Sequence, residues 1–218
     1  MNTLLKTTLI SAALAAAGLG QATPVVTNGS FEVDPVATFL AVTTVTGWTV
    51  GKVAASSYPF LIDNAFGAST PYGEQFFVPG YYAVGGTNYI EQAIGGFTPG
   101  DRYTLSFAIA TERSDAVGAQ SGVTVSFASG SSTSAADFYA LDSASYWRTW
   151  SLLTYDFVAS SSSVTVRFTQ NAGRGAAGAG YDVGLDNVSI SAVPEPETHA
   201  LMLAGLGALA MVARRRPR

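Results

Sequence analysis

The chain has 218 residues, and its 11 lysines and arginines against 15 aspartates and glutamates give a formal net charge of −4 at pH 7. It contains no cysteine and one histidine, His199, close to the C-terminus. These counts exclude disulfide bonds, thiolate catalysis and thiolate metal sites. Because residues 1–198 contain no histidine, this part of the chain also has no imidazole metal site and no Ser-His-Asp triad.

The first 22 residues have the pattern of a removable export signal. Lys6 supplies a positive charge, residues 9–19 form a short apolar stretch of mostly Ala and Leu, and residues 20–22 end it with small side chains. Signal peptidases require small residues at their cleavage point. We therefore predict cleavage after Ala22, so that residues 1–22 are a signal peptide.

Residues 23–192 have the length of one domain and show no internal linker or break in composition. This segment carries six basic and thirteen acidic side chains, a net charge of about −7. Because phosphate binding needs a basic surface, we expect no nucleic acid among its partners.

The domain shows the alternation of apolar and small or polar residues that is typical of half-buried strands. In chain order, the candidate strands are 42–50, 76–78, 89–94, 103–109, 123–127, 150–158, 164–168 and 185–190. Turn-forming or serine-rich clusters separate them at 98–101, 129–134 and 160–163. About eight strands without a long helix predict an all-β fold, an antiparallel two-sheet sandwich.

Residues 173–178 match the pattern G-x-G-x-x-G, which in dinucleotide-binding proteins opens a helix and cradles a phosphate. Here the glycines lead into another candidate strand instead of a helix. We therefore interpret this segment as a loop between strands.

The C-terminal tail contains three elements in a fixed order. Pro194, Glu195 and Pro196 precede an apolar run over residues 200–213, and an arginine cluster follows over residues 214–218. As a helix the apolar run spans roughly 21 Å, less than the roughly 30 Å of a bilayer core. Clustered arginines after an apolar segment are retained on the cytoplasmic side, which favours a transmembrane helix. The alternative, a core helix with a basic end, lacks a polar face.

This tail resembles the PEP-CTERM sorting signal of Gram-negative bacteria, and the resemblance covers residues 193–218. It implies that a membrane protease, exosortase, recognises Pro194, Glu195 and Pro196 as the sorting motif. It also implies an inner-membrane precursor that is released to the cell surface or the extracellular matrix.

A second resemblance spans most of the domain. The segments 28–32 (NGSFE), 47–48 (GW), 98–100 (TPG) and 185–190 (LDNVSI) resemble the motifs of a galactose-binding-like jelly roll. That superfamily includes many carbohydrate-binding modules. The resemblance implies a jelly-roll sandwich with a carbohydrate ligand.

The same resemblance implies a structural calcium ion between the first and last strands. Glu32 and Asp186 match the carboxylates that hold it, with Asp34 and Asn28 as further candidates. Calcium takes six to eight oxygen ligands, so backbone carbonyls would complete the shell. The alternative is that Glu32 is a solvated turn residue and Asp186 a hydrogen-bonded strand end.

Aromatic rings would supply the stacking surfaces for a sugar. Our candidates for carbohydrate binding are Trp48, Tyr81, Tyr82 and Trp147. Adjacent residues of a strand point to opposite faces, so only one of Tyr81 and Tyr82 can be buried.

Together these features predict an exported, non-enzymatic sandwich that binds extracellular polysaccharide. One alternative is a structural matrix protein without a defined ligand. Another is a glycoside hydrolase that uses two carboxylates, for which Glu74, Glu91, Glu112 and Asp115 are candidates. Their spacing singles out no pair.

Overall fold

The structure is a computed structural model. It describes residues 23–51, 58–64, 67–82, 86–112, 120–129, 131–140, 146–171, 182–194 and 201–209, with backbone alone at 81–82 and 86–87. The predicted signal peptide, the glycine-rich loop at 173–178 and two residues of the sorting motif, Glu195 and Pro196, lie outside these ranges.

Thirteen strands are present among the described residues. They are β1 (Phe39–Ala41), β2 (Thr49–Gly51), β3 (Phe60–Asp63), β4 (Gln75–Val78), β5 (Tyr81–Tyr82), β6 (Gly86–Thr87), β7 (Tyr89–Gly95), β8 (Arg102–Thr111), β9 (Gly122–Ser129), β10 (Ser132–Tyr139), β11 (Ser151–Val158), β12 (Ser163–Gln170) and β13 (Val183–Ala192).

The strands form two antiparallel sheets and one small ribbon. The six-stranded sheet has the order β1-β3-β4-β13-β8-β11, and the five-stranded sheet has the order β10-β9-β12-β7-β2. Strands β5 and β6 pair as a two-stranded ribbon. This arrangement confirms the predicted all-β, two-sheet jelly roll.

The main core lies between the two sheets and follows the alternation of the sequence. On β8, Leu105, Phe107 and Ile109 face the core and are fully buried, and on β12 Val166 and Phe168 do the same. Burying one such side chain contributes roughly 1.5–3 kcal/mol, so these central strands dominate the stability of the sandwich.

A second, smaller apolar cluster covers the outer face of the six-stranded sheet. Phe76 and Ala110 belong to it, whereas their chain neighbours Phe77 and Ile109 belong to the main core, so the two pairs point to opposite faces. Trp147 completes the cluster from the segment before β11.

The segment that precedes β1 is fixed mainly by side chains. Gln92 on β7 donates to the carbonyls of Thr27 and Gly47 and accepts a hydrogen bond from the Thr27 amide. Gln75 on β4 donates to the carbonyls of Phe31 and Asp34. These two buried glutamines therefore tie the segment to both sheets.

Two details of the strand prediction were wrong. Residues 42–50 do not form a continuous strand, because only an isolated bridge joins Val45 to Trp48 before β2 begins. The serine-rich stretch 129–134 is not all turn, because β9 ends at Ser129 and β10 already begins at Ser132.

The sandwich continues directly into the tail. Strand β13 ends at Ala192, and the amide of Val193 still donates to the carbonyl of Arg102 at 2.9 Å. Residues 201–209 form an exposed helix. No helix in the described ranges is long and apolar enough to cross a membrane, and the transmembrane helix stays a prediction.

Candidate metal and carbohydrate sites

Asp186 lies at an irregularity in the central strand β13. The pairing of β13 with β8 shifts by one residue between Asp186 and Ser189, and Asn187 takes a φ of 51°. Such a bulge re-aims the side chains around it. The Asp186 carboxylate is fully buried, accepting a 2.5 Å hydrogen bond from the Thr70 hydroxyl and a 2.6 Å bond from the Asn187 amide.

Glu32 reaches the same region from the segment that precedes β1. Its Oε1 atom accepts hydrogen bonds from the backbone amides of Glu74 at 3.0 Å and Gln75 at 3.1 Å. A Cβ atom at Gly73 would collide with this oxygen, so the close approach requires glycine there.

Glu32 is close enough to Asp186 to affect its ionisation. The pKa of Asp186 is raised from an ordinary value of 3.8 to about 7, mainly by burial and to a smaller extent by the negative charge of Glu32. The hydrogen bonds from Thr70 and Asn187 act in the opposite direction. Within the described ranges, no lysine or arginine forms an ion pair with either carboxylate.

The carboxylate oxygens of this site are the kind of ligand that a hard cation binds. Glu32 and Asp186 supply anionic oxygens, but among the described residues no third acidic or histidine side chain joins them. Backbone carbonyls and water would have to complete a calcium shell. Asp34 and Asn28 are engaged elsewhere, in hydrogen bonds with Thr46.

The raised pKa of Asp186 predicts the pH dependence of the metal-free protein. The folded state binds the proton of the Asp186 carboxyl group more tightly than the unfolded state does. Protonation of Asp186 therefore stabilises the fold, and this contribution is complete below about pH 4. That contribution is lost as the pH rises through about 7, up to roughly 4 kcal/mol. Urea unfolding in EDTA at several pH values measures this loss, and the variant Asp186→Asn should remove it.

Two of the predicted sugar-binding residues are core residues. Trp48 is 7% exposed, packs 5.5 Å from Phe31 and 6.3 Å from Phe168 between ring centroids, and donates its indole hydrogen to the Asn28 carbonyl. Trp147 is 4% exposed. As placed, neither tryptophan offers a ring face to a sugar.

The other two predicted aromatic residues, Tyr81 and Tyr82, form strand β5. Their backbone pairs with Thr87 and Gly86 of β6. Their side chains lie outside the described part of the structure, so their role in carbohydrate binding stays a prediction.

A polar surface that the sequence did not single out covers the outer face of the five-stranded sheet. We call this surface the polar platform. Its members share an outward position on neighbouring strands, as the pairing register shows: Tyr89 and Glu91 on β7, Arg167 and Thr169 on β12, Thr124 on β9 and Asp137 on β10.

Interactions within the platform fix its side chains. The Arg167 guanidinium forms a 2.7 Å ion pair with Glu91 and lies 4.0 Å from the centroid of the Tyr89 ring. The Tyr89 ring packs against Gly51, where a Cβ atom would collide with it. Strand alternation predicts that Glu91 and Arg167 point outward. Only the pairing of β7 with β12, which are far apart in the sequence, shows that the two side chains meet.

The described candidate catalytic acids lie on different elements, with Glu91 on β7, Glu74 just before β4 and Glu112 just after β8. Glu91 is held by Arg167, and the backbone amides of Glu74 and Glu112 bond to Glu32 and to the Asp182 carbonyl. Asp115 lies outside the described residues.

These features define a two-sheet jelly-roll domain, and similar solved structures share that fold. A cyclase from Fischerella sp. TAU in complex with 4-(1H-indol-3-yl)butan-2-one has a TM-score of 0.59 at 19% identity, covering 79% of this chain and 98% of the cyclase. The carbohydrate-binding module TmCBM61, in complex with β-1,4-galactotriose, has a TM-score of 0.50 at 11% identity, covering 76% and 96%.

The enzymatically active domain of tailspike protein 4 from bacteriophage CBA120 is also similar. Its TM-score is 0.50 at 13% identity, covering 77% of this chain and 21% of the tailspike chain. At such identities these similarities establish the fold alone. Comparison with curated protein sequences gave no match.

Residues 192–216 match the PEP-CTERM protein-sorting motif. The chain therefore carries a PEP-CTERM sorting signal, as its sequence predicted, and is an exported protein sorted by exosortase. The motif begins at Ala192, the last residue of β13, so fold and sorting signal adjoin without a spacer.

Proposed function

We propose that this exported protein binds carbohydrate at the cell surface or in the extracellular matrix, through the polar platform. The observation that carries the proposal is the fixed cluster of Tyr89, Arg167 and Glu91 on the outer face of the five-stranded sheet. Its jelly-roll fold, which TmCBM61 shares, supports the same function.

The chemistry of the platform suits a neutral polymer of hydroxylated rings. Carboxylate and guanidinium groups form the stronger hydrogen bonds to hydroxyls, and the tyrosine adds an apolar surface. The Thr124 hydroxyl likewise holds Asp137 at 2.5 Å, so this acceptor is oriented before any ligand arrives. Four strands about 4.8 Å apart make the platform about 14 Å wide, enough for an extended chain.

We further propose that calcium has a structural role in this protein. Glu32 and Asp186 belong to the six-stranded side of the sandwich, whereas the platform is on the five-stranded sheet. An ion there would neutralise the two carboxylates and tie the N-terminal segment to β13, without touching the sugar.

We propose that the acidic residues of the platform bind carbohydrate and do not catalyse its hydrolysis. Glycoside hydrolysis needs one carboxyl group to donate a proton and a second to act as nucleophile or base. Glu91 is neutralised by Arg167, and Asp137 accepts a hydrogen bond from Thr124. No hydrolysis of chromogenic glycosides by the purified protein is the expected result.

A glycan array with the purified protein tests carbohydrate binding. We expect reproducible binding to at least one class of neutral polysaccharide, and Arg167→Ala should weaken it about 10- to 100-fold, because a charged hydrogen bond contributes roughly 1.5–3 kcal/mol. Arg148→Ala, which removes an exposed arginine outside the platform, is the matched control. Absence of binding to every class would contradict the proposal and favour a structural matrix protein.

A further inference from the structure

Strand β10 has an unusual inner face. Residues that pair across antiparallel strands point to the same side of a sheet, and Ser134 pairs with Phe127 while Ser132 pairs with Ser129. Because Phe127 belongs to the main core, Ser134 also points inward. Ser132 and Ser134 are nevertheless exposed.

The exposed inner face opens a cleft of about 490 Å³ between the edges of the two sheets. Strands β10 and β11 are the edge strands on this side of the sandwich. The cleft is lined by Arg102, Phe127, Ser129, Ser132, Thr133, Ser134, Tyr155, Asp156, Phe157 and Val158. We call it the edge cleft, and its volume is within the range of small-ligand sites.

Tyr155 and Phe157 on β11 line the edge cleft from the six-stranded sheet, and Phe127 on β9 meets both rings from the five-stranded sheet. Phe127 stacks against Tyr155, with 5.1 Å between centroids and 18° between planes, and against Phe157, with 4.7 Å and 30°. Phe127 and Phe157 are buried, whereas Tyr155 is half-buried. Of these three residues, Tyr155 is therefore the one most accessible to a ligand.

Serine hydroxyls lie beside Phe127 on the five-stranded side of the cleft. In the described part of the chain, the hydroxyls of Ser132 and Ser134 have no hydrogen-bond partner. Ser129 differs, because its hydroxyl oxygen accepts hydrogen bonds from the amides of Ser160 and Ser161 at 2.9 and 3.0 Å. The hydroxyls of Ser132 and Ser134 thus lie across the cleft from the rings of β11.

The charge of the cleft is balanced. Among the described residues that line it, only Arg102 and Asp156 are charged, and they have opposite signs; Asp156 accepts a 2.6 Å hydrogen bond from the Thr104 hydroxyl. A charged ligand would therefore gain no net attraction. A neutral ring with one apolar face and a hydroxylated edge matches the two sides of the cleft.

Packing alone does not account for the serines. A larger apolar residue at position 134 would bury further surface against Phe127 and Tyr155, at about 25 cal/mol for each Å². Protein interiors are otherwise close-packed, so the open cleft is a departure from the rest of this core.

We propose that the edge cleft is a second carbohydrate site, which takes a neutral sugar ring with its apolar face on Tyr155 and its hydroxyls on Ser132 and Ser134. This inference rests on the proposed function and extends it. Strand β10 is common to both sites, because it presents Asp137 to the platform and Ser134 to the cleft. A polysaccharide that crosses the platform reaches the cleft at the β10 edge.

The test uses the full-length chain purified in detergent and three neutral ligands: β-1,4-galactotriose, cellotriose and xylotriose. We expect at least one of them to shift the ring resonances of Tyr155 in NMR spectra, assigned with Tyr155→Phe. Ser134→Phe fills the cleft and should abolish that shift, or weaken it at least tenfold. Ser189→Phe, at an exposed position on the outer face of β13, is the matched control.

The outcomes separate the two sites. A Tyr155 shift that persists in Arg167→Ala supports the cleft even if the platform binds nothing. If Arg167→Ala abolishes binding and Ser134→Phe leaves it unchanged, the proposal of a cleft site is wrong and the platform is the binding site. No Tyr155 shift with any of the three sugars also overturns the proposal of a cleft site. If Ser134→Phe lowers the melting temperature, Ser132→Leu, which narrows the cleft from the same side, replaces it in every comparison.

Discussion

Calcium should raise the melting temperature of the purified protein by about 5–10 °C, and EDTA should reverse the increase. A free calcium concentration of 100 times the Kd adds about 2.7 kcal/mol to the free energy of unfolding. For a chain of this size, 1 kcal/mol corresponds to roughly 2–4 °C. The physical reason is the buried carboxylate of Asp186, whose charge is opposed by burial and by Glu32.

Single substitutions should assign this effect to the two carboxylates. Glu32→Gln and Asp186→Asn keep the side-chain shape but remove an anionic ligand, so each should abolish most of the calcium-dependent increase. In EDTA at pH 7, Asp186→Asn should be at least as stable as the wild type, because it removes a buried charge. Asp156→Asn, at an exposed position on β11, is the control.

Scanning calorimetry with calcium, with magnesium and with EDTA measures these effects. Equal melting temperatures in all three conditions would remove the metal proposal. A calcium response that survives in both Glu32→Gln and Asp186→Asn would move the ion to another place in the molecule.

Strands whose inner positions carry large apolar residues could be predicted from the sequence. The alternation around Leu105 and Phe107 and around Val166 and Phe168 is visible locally, because one face of each strand is buried. Strand β10 was missed for the opposite reason. Its inner positions at 132 and 134 are serines, so the local pattern is that of a turn.

The candidate sites also differ in how far the sequence predicts them. The proximity of Glu32 and Asp186 could be anticipated from a family resemblance, whereas the role of Gly73 beside them depends on a close backbone approach. The ion pair between Glu91 and Arg167 depends on which strands are neighbours, 76 residues apart in the chain. Trp48 was a candidate for carbohydrate binding because of its residue type, but its side chain is buried in the core.

Replacing Pro194, Glu195 and Pro196 with alanine should block release of the protein and leave a membrane-bound precursor. The sorting motif covers residues 192–216, and the fold ends where it begins, at Ala192 and the hydrogen-bonded Val193. The substitutions therefore leave every strand of the sandwich intact. Any loss of release then reflects recognition of the tail rather than unfolding.

Cell fractionation and immunoblotting measure the released fraction, which we expect to fall at least tenfold. The matched control replaces the next three residues, Glu197, Thr198 and His199, with alanine and keeps the Pro-Glu-Pro motif and the apolar run. Both variants should bind glycans as the wild type does when purified from membranes, because the platform is built from strands that end before residue 171. Normal release of the first variant would show that Pro-Glu-Pro is not the recognised element, and would direct the search to the apolar run or the arginine cluster.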